Sequence, residues 1–367
     1  MCISLSFSFC SLSASLFNSS FFAFITFFTS SVVYSQQRQI QKGTIERIKV
    51  YGKGLEGNLS GDSADRFVSV YLPASYKKNP NKRYPVVYFL HGYTDDDAKF
   101  YGFSRHWMTL PPILDSVFAA GNVKEMIVVT PNSYTRFHGS MYSNSITTGN
   151  WEDFIAKELV AYMDSHYRTI AKASSRGLAG HSMGGYGALR IGQKNPGVFS
   201  SIYLLSPCCL SSQNVSNQIP QNFLRADSIK TIAEFDKTDF GTKTVFASAA
   251  AWSPNPTLPP FYIDLPVKNG QLQPMVLAKW NANRPLNTID QYITNIKQLK
   301  GIAFDAGTRD QGIAASIKVL DEELNKYSIK HFFEIYEGDH INRVAERIET
   351  KMLRFFSDNL SFTIPKR

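Results

Sequence analysis

Gly180-His181-Ser182-Met183-Gly184 is the stretch whose residue types and spacing point most directly to chemistry. A serine in a G-x-S-x-G pattern needs a tight strand-to-helix turn that lifts its hydroxyl above a sheet. Glycines on either side allow the strained backbone and the close helix packing. The pentapeptide alone is common, so its context decides. Arg176-Gly177-Leu178-Ala179-Gly180 reads as a short strand before it, and Gly184 to Gln193 reads as a helix after it. Ser182 in that setting is a candidate nucleophile for attack on a carbonyl carbon through a covalent acyl-serine.

A serine hydroxyl needs a base. His340, in Glu337-Gly338-Asp339-His340, follows the last predicted strand and precedes the last predicted helix. Loops at the carboxyl ends of strands are where α/β sheets place their sites. His91, His106, His138 and His181 all precede Ser182, against the chain order serine, acid, histidine. His166 falls in a predicted helix and His331 opens a strand. The third group must fix the tautomer of His340 and stabilise its imidazolium. Asp310 is favoured over Asp305, because a loop tip reaches farther than a strand end; Asp339 is a more distant rival, being the neighbour of His340. The tetrahedral intermediate needs backbone donors for its oxyanion. The Met183 amide and the Tyr93 amide, in His91-Gly92-Tyr93, are the candidates. Neither a metal nor an organic cofactor is implied: no cluster of cysteines or C-x-x-C pair is present.

These residues require a frame. The chain has 367 residues, 43% hydrophobic and 13% aromatic, enough to bury one large core. Phe67 to Leu72 alternates at period two and reads as a half-exposed strand ending at Pro73. Pro85 to Leu90 and Met126 to Thr130 are continuous apolar runs, the pattern of strands covered on both faces. Ser201 to Leu205, Gly301 to Asp305 and His331 to Tyr336 read as further strands. Apolar residues recur at helical spacing between Trp151 and Tyr167, and Gly312 to Tyr327 and Asn342 to Leu360 also read as helices. Alternating strands and helices predict a mostly parallel sheet with helices on both faces. Residues 211–300 break the rhythm with prolines and with Phe246, Trp252 and Phe261, and read as a cap-like insertion.

The ends and the charge complete the plan. Residues 1–35 carry no charged side chain and contain the apolar run Phe21 to Phe28, which reads as an export signal, although no basic residue precedes it. Residues 36–65 then form an arm or first strand, and 66–360 the catalytic domain. The mature chain is expected to be secreted or periplasmic, with no stable membrane span. It would retain only Cys208 and Cys209, too close in sequence for easy bridging. The net charge of +9 comes from scattered Lys and Arg rather than a compact basic tract, so no nucleic-acid partner is expected. Composition gives no oligomeric state.

With these residues in place, the sequence resembles the esterase family of α/β-hydrolases that includes esterase D, feruloyl and acetylxylan esterases and mycolyltransferases. The resemblance rests on Phe89-Leu90-His91-Gly92, Asn150-Trp151-Glu152-Asp153-Phe154, Gly180 through Leu189, Asn195-Pro196, Phe199, Ser206-Pro207, Gly307 with Asp310, and Gly338 with His340. It implies an α/β-hydrolase fold, Ser182, Asp310 and His340 as triad, and the Tyr93 and Met183 amides as oxyanion donors. S-formylglutathione hydrolases usually carry a cysteine soon after the HG turn and a histidine after SMGG, where this chain has Tyr93-Thr94-Asp95 and Tyr186. Mycolyltransferases usually follow the serine with Met-Ala, where this chain has Met183-Gly184. The remaining branch looks like the esterases that act on decorated polysaccharides, and this resemblance implies a secreted serine carboxylesterase cleaving feruloyl or acetyl esters. Acyl transfer, thioester hydrolysis, peptidase activity and non-catalytic carbohydrate binding are the competing functions. Trp107, Trp252 and Trp280 are the aromatics offered for stacking on a sugar or feruloyl ring, Trp252 and Trp280 foremost.

Overall fold

The structure, a computed structural model, describes residues 40–212 and 218–363. The segment read as an export signal, 1–35, lies outside the described residues. Eight strands form one sheet: Thr44–Tyr51 (β1), Asp65–Leu72 (β2), Val86–Leu90 (β3), Ile127–Pro131 (β4), Arg176–His181 (β5), Ser201–Leu205 (β6), Gly301–Gly307 (β7) and Phe332–Tyr336 (β8). Their spatial order is β1-β2-β4-β3-β5-β6-β7-β8. β2 runs antiparallel to β1 and β4, and every other neighbouring pair is parallel. The continuous apolar runs become the central strands: β3, β4 and β6 are buried along their whole length.

Alternate residues of β3 feed two cores. Val87 and Phe89 pack with Leu110–Ala119 (α1) and the C-terminal helix over residues 344–359 (α2). Val86, Tyr88 and Leu90 face the other core, with the helix over residues 151–166 (α3), Met183–Lys194 (α4) and Gln311–Lys326 (α5). Both α2 and α3 contain a π-helical segment, Ile348–Met352 and Phe154–Leu159 respectively.

Two strands depart from the sequence reading. Alternation predicts β2 half exposed, whereas Val68 to Leu72 are all buried. Its polar face is covered because each polar group there has a partner. The Ser69 hydroxyl donates to Asp97 Oδ2 (2.7 Å) and the Tyr71 hydroxyl to Asp115 Oδ1 (2.7 Å). β7 runs to Gly307, beyond the predicted end at Asp305, so Asp305 lies inside the strand.

Between residues 218 and 296 the chain forms short helices, among them Phe240–Trp252 (α6) and Pro274–Ala282 (α7). Phe235, Phe246 and Phe261 pack on one another, and Trp252 packs edge-on to Trp280 and tilted against Tyr186 of α4. These aromatics belong to the same buried core as the sheet.

Candidate active site

The turn at Ser182 is shaped by what glycine leaves out. Ser182 takes φ 56° and ψ −113°, a region that a residue with a side chain occupies only when its surroundings enforce it. A Cβ on Gly180 would lie 2.2 Å from the Gly184 backbone, and one on Gly184 would lie 2.0 Å from the Leu90 carbonyl oxygen. The start of α4 therefore rests directly on the end of β3, which a larger residue at either position would prevent.

Two loops bring the other side chains to Ser182. The loop after β7 carries Asp310 and the loop after β8 carries His340. They are joined where the Arg309 amide donates to the Gly338 carbonyl (2.8 Å) and the Thr308 amide to the Tyr336 carbonyl (2.8 Å). A Cβ at Gly307 would lie 2.4 Å from the Gly338 oxygen, so this approach also needs glycine. The result is a connected line. His340 Nε2 is 2.9 Å from Ser182 Oγ, and His340 Nδ1 is 2.6 Å from Asp310 Oδ2. With Nδ1–H donating to the carboxylate, Nε2 is left to accept the serine proton.

The rival acids and histidines lie elsewhere. Asp305 is fully buried and held by Arg347 Nε (2.9 Å) and the Tyr203 hydroxyl (2.6 Å); burial pushes its carboxyl up to about 6 against the pull of Arg347. Asp339 accepts from the Ile341 and Asn342 amides of its own loop. His91 accepts from the Ser133 amide at Nε2 (2.9 Å) and donates from Nδ1 to the Gly92 carbonyl (2.8 Å), so it shapes the turn after β3. His106 bridges Asp95 and Met108, His138 stacks on Tyr134, His166 stacks on Tyr162, and His331 pairs with Asp321.

His181 plays a part that sequence reasoning missed. It is 2% exposed, and its Nε2 donates to the His340 backbone carbonyl (2.9 Å) with the two rings 4.8 Å apart. Burial, with His340 close by, lowers its pKa to about 4, so it clasps the His340 loop as a neutral ring. Its position beside Ser182 was the available signal; a partner 159 residues away was not visible in sequence.

The Tyr93 and Met183 amides lie on the two segments that meet at the Leu90–Gly184 contact, and neither donates to a protein acceptor among the described residues. The structure corrects the expectation for Trp252 and Trp280. Each is 3% exposed, with its indole N–H spent on Ser143 Oγ (3.2 Å) and Ser253 Oγ (2.9 Å) respectively, so neither ring is open to a ligand. Trp107 is 40% exposed and packs edge-on to His181. Cys208 and Cys209 are free thiols, half-buried, and the Cys208 amide donates to the Ser182 carbonyl (3.1 Å). Among the described residues no group of acidic, histidine or cysteine side chains is arranged to hold a metal, and no helix is long and apolar enough to cross a membrane.

Comparison with known proteins adds to this geometry. An esterase of Mycobacterium tuberculosis is 35% identical over 139 residues, covering 36% of this chain and 27% of its own. An endo-1,4-beta-xylanase/feruloyl esterase of Xylanibacter ruminicola is 27% identical over 176 residues, covering 47% of this chain and 23% of its own. The chain thus spans about a quarter of the length of these curated relatives. Among solved structures, a ferulic acid esterase superposes with TM-score 0.60 at 19% identity, over 87% of this chain and 99% of that one. An S-formylglutathione hydrolase from Agrobacterium tumefaciens follows with TM-score 0.54 at 15% identity, over 88% and 98%. At these identities the structures speak for the fold, which is that of the α/β-hydrolases. The sequence profile of the family described as "Putative esterase" matches residues 63–344, most of the chain, and the chain belongs to that esterase family.

Proposed function

We infer that the protein is a secreted serine carboxylesterase that cleaves acyl esters through an acyl-Ser182 intermediate, its substrates being feruloyl or acetyl esters on polysaccharides. The observation that carries this reading is the unbroken line from Ser182 Oγ through His340 to Asp310. Family membership supports the ester as substrate, the relatives named feruloyl esterase support the acyl group, and the uncharged apolar leader supports export.

The chemistry follows from the positions. Ser182 Oγ adds to the ester carbonyl as His340 Nε2 takes its proton, and Asp310 holds Nδ1–H and stabilises the imidazolium. The carbonyl electrons move to oxygen, which the Tyr93 and Met183 amides receive. Collapse expels the alcohol, which takes the proton back from His340, and leaves acyl-Ser182. A water then repeats the sequence, with His340 as base, and releases the acid. The neutral state of His181 matters here, because a second positive ring 4.8 Å from His340 would oppose the imidazolium.

Turnover of p-nitrophenyl acetate by the full chain and by Ser182→Ala tests the mechanism. Loss of a triad serine should lower kcat by about a million-fold, as in other triad hydrolases. Equal turnover by both chains would end the serine-esterase reading.

A further inference from the structure

Four tryptophans divide three to one. Trp151, Trp252 and Trp280 are 1–3% exposed, and their indole N–H groups donate to Thr148 O, Ser143 Oγ and Ser253 Oγ. Trp107 is 40% exposed, and its N–H has no protein acceptor among the described residues. Isolated exposed aromatics are ordinary on protein surfaces, so position and rigidity must carry the argument. The ring is held from three sides, by His106 (4.5 Å between centroids), His181 (5.6 Å) and Phe100 (6.3 Å). His106 is itself fixed between Asp95 Oδ1 (3.1 Å) and the Met108 carbonyl (3.0 Å). An exposed indole anchored in this way has already lost the freedom that a ligand would otherwise have to freeze.

Its place relative to the proton path follows from two ring contacts. The alcohol leaving Ser182 must take its proton from His340 Nε2, so it departs past the His340 ring. From that ring two contacts lead to Trp107: His340 lies tilted against His181, 4.8 Å between centroids, and His181 packs edge-on to Trp107. Ile341, next to His340 and 42% exposed, adds an apolar group nearby in the chain. An indole offers an apolar face with a polar donor at its edge. A sugar ring is its complement, with C–H groups on one face and hydroxyls around the rim.

We propose that Trp107 is the platform for the sugar that carries the ester, and so sets preference for the alcohol rather than the acyl part of the substrate. This rests on the esterase reading above. It is tested with the full chain and its Trp107→Ala and Trp107→Phe variants on pairs of esters that share an acyl group, acetyl or feruloyl, and differ in the alcohol: methyl against a xylo- or arabinoxylo-oligosaccharide. Trp107→Ala should lower kcat/KM for the saccharide ester about tenfold, mainly through KM, the scale of one lost apolar contact in a pocket. The methyl ester should stay within about twofold of wild type, and Trp107→Phe should recover most of the loss. An equal fall on both esters, or none on the saccharide ester, overturns the proposal. A wild-type chain that cleaves methyl esters and no saccharide ester overturns the platform while the esterase reading stands. A chain inert towards every ester overturns both.

Discussion

Two aspartates near the end of one strand differ in what surrounds them, and that difference can be measured. Asp310 reaches His340 at 2.6 Å from a loop, while Asp305 is locked to Arg347 and Tyr203 inside β7. Asp310→Asn should leave the fold intact and lower kcat by about 10⁴, the effect of an amide that stabilises the wrong histidine tautomer. Asp305→Asn breaks a buried pair, so it should lower stability by about 3 kcal/mol while the folded fraction keeps kcat within a few-fold. Turnover and thermal unfolding of both variants separate the roles, and the assignment fails if Asp305→Asn loses as much kcat as Asp310→Asn. His181 makes a second prediction, on pH. Its ring stays neutral in the fold down to about 4, against 6.5 for an unperturbed histidine. Between those values the unfolded chain binds more protons, so this residue's contribution makes stability fall as pH drops from 6.5 towards 4. The full effect is about 3 kcal/mol. His181→Gln lacks that titration, so the stability advantage of wild type over the variant should shrink by this amount between pH 7 and pH 4 in urea denaturation. An advantage that stays constant over that range would show that His181 is not held neutral.

At the scale of elements, what could be read from the sequence was local. Ser201 to Leu205 is a strand with the predicted bounds, and the helix after Ser182 begins one residue before its predicted start. The order of Ser182, Asp310 and His340 was legible because strand-end loops follow one another in a fixed sequence through a parallel sheet. Misreadings arose where a distant partner decides the outcome. β2 alternates like a half-exposed strand, yet Asp97 and Asp115, 28 and 44 residues away from Ser69 and Tyr71, cap its polar face and let it be covered. Asp305 reads as the strand end in sequence, but the strand runs on to Gly307. The glycine is instead needed inside the strand, where the Gly338 backbone passes too close for a side chain. His181 could be seen beside the nucleophile, but its bond to the His340 carbonyl exists only once β5 and the loop after β8 are neighbours across the site.

For the whole molecule, residues 211–300 read from the sequence as a cap-like insertion. Prolines and clustered aromatics describe an insertion equally well whether it packs on the sheet or stands apart. Trp252 packs on Tyr186 of α4, the helix that follows Ser182, and Trp280 packs on Trp252. An insertion sharing its core with the sheet should unfold with it. In urea, loss of tryptophan fluorescence and loss of esterase activity should therefore fall on one transition. Trp280→Phe removes the indole N–H bonded to Ser253 Oγ at 2.9 Å and part of a ring in that core. It should shift both curves together by about 2 kcal/mol. KM for p-nitrophenyl acetate should stay at the wild-type value, because the ring does not face the substrate. Activity lost at a lower urea concentration than fluorescence, or a variant whose KM rises while its stability holds, would mean that the insertion moves as its own unit and that Trp280 serves the substrate after all.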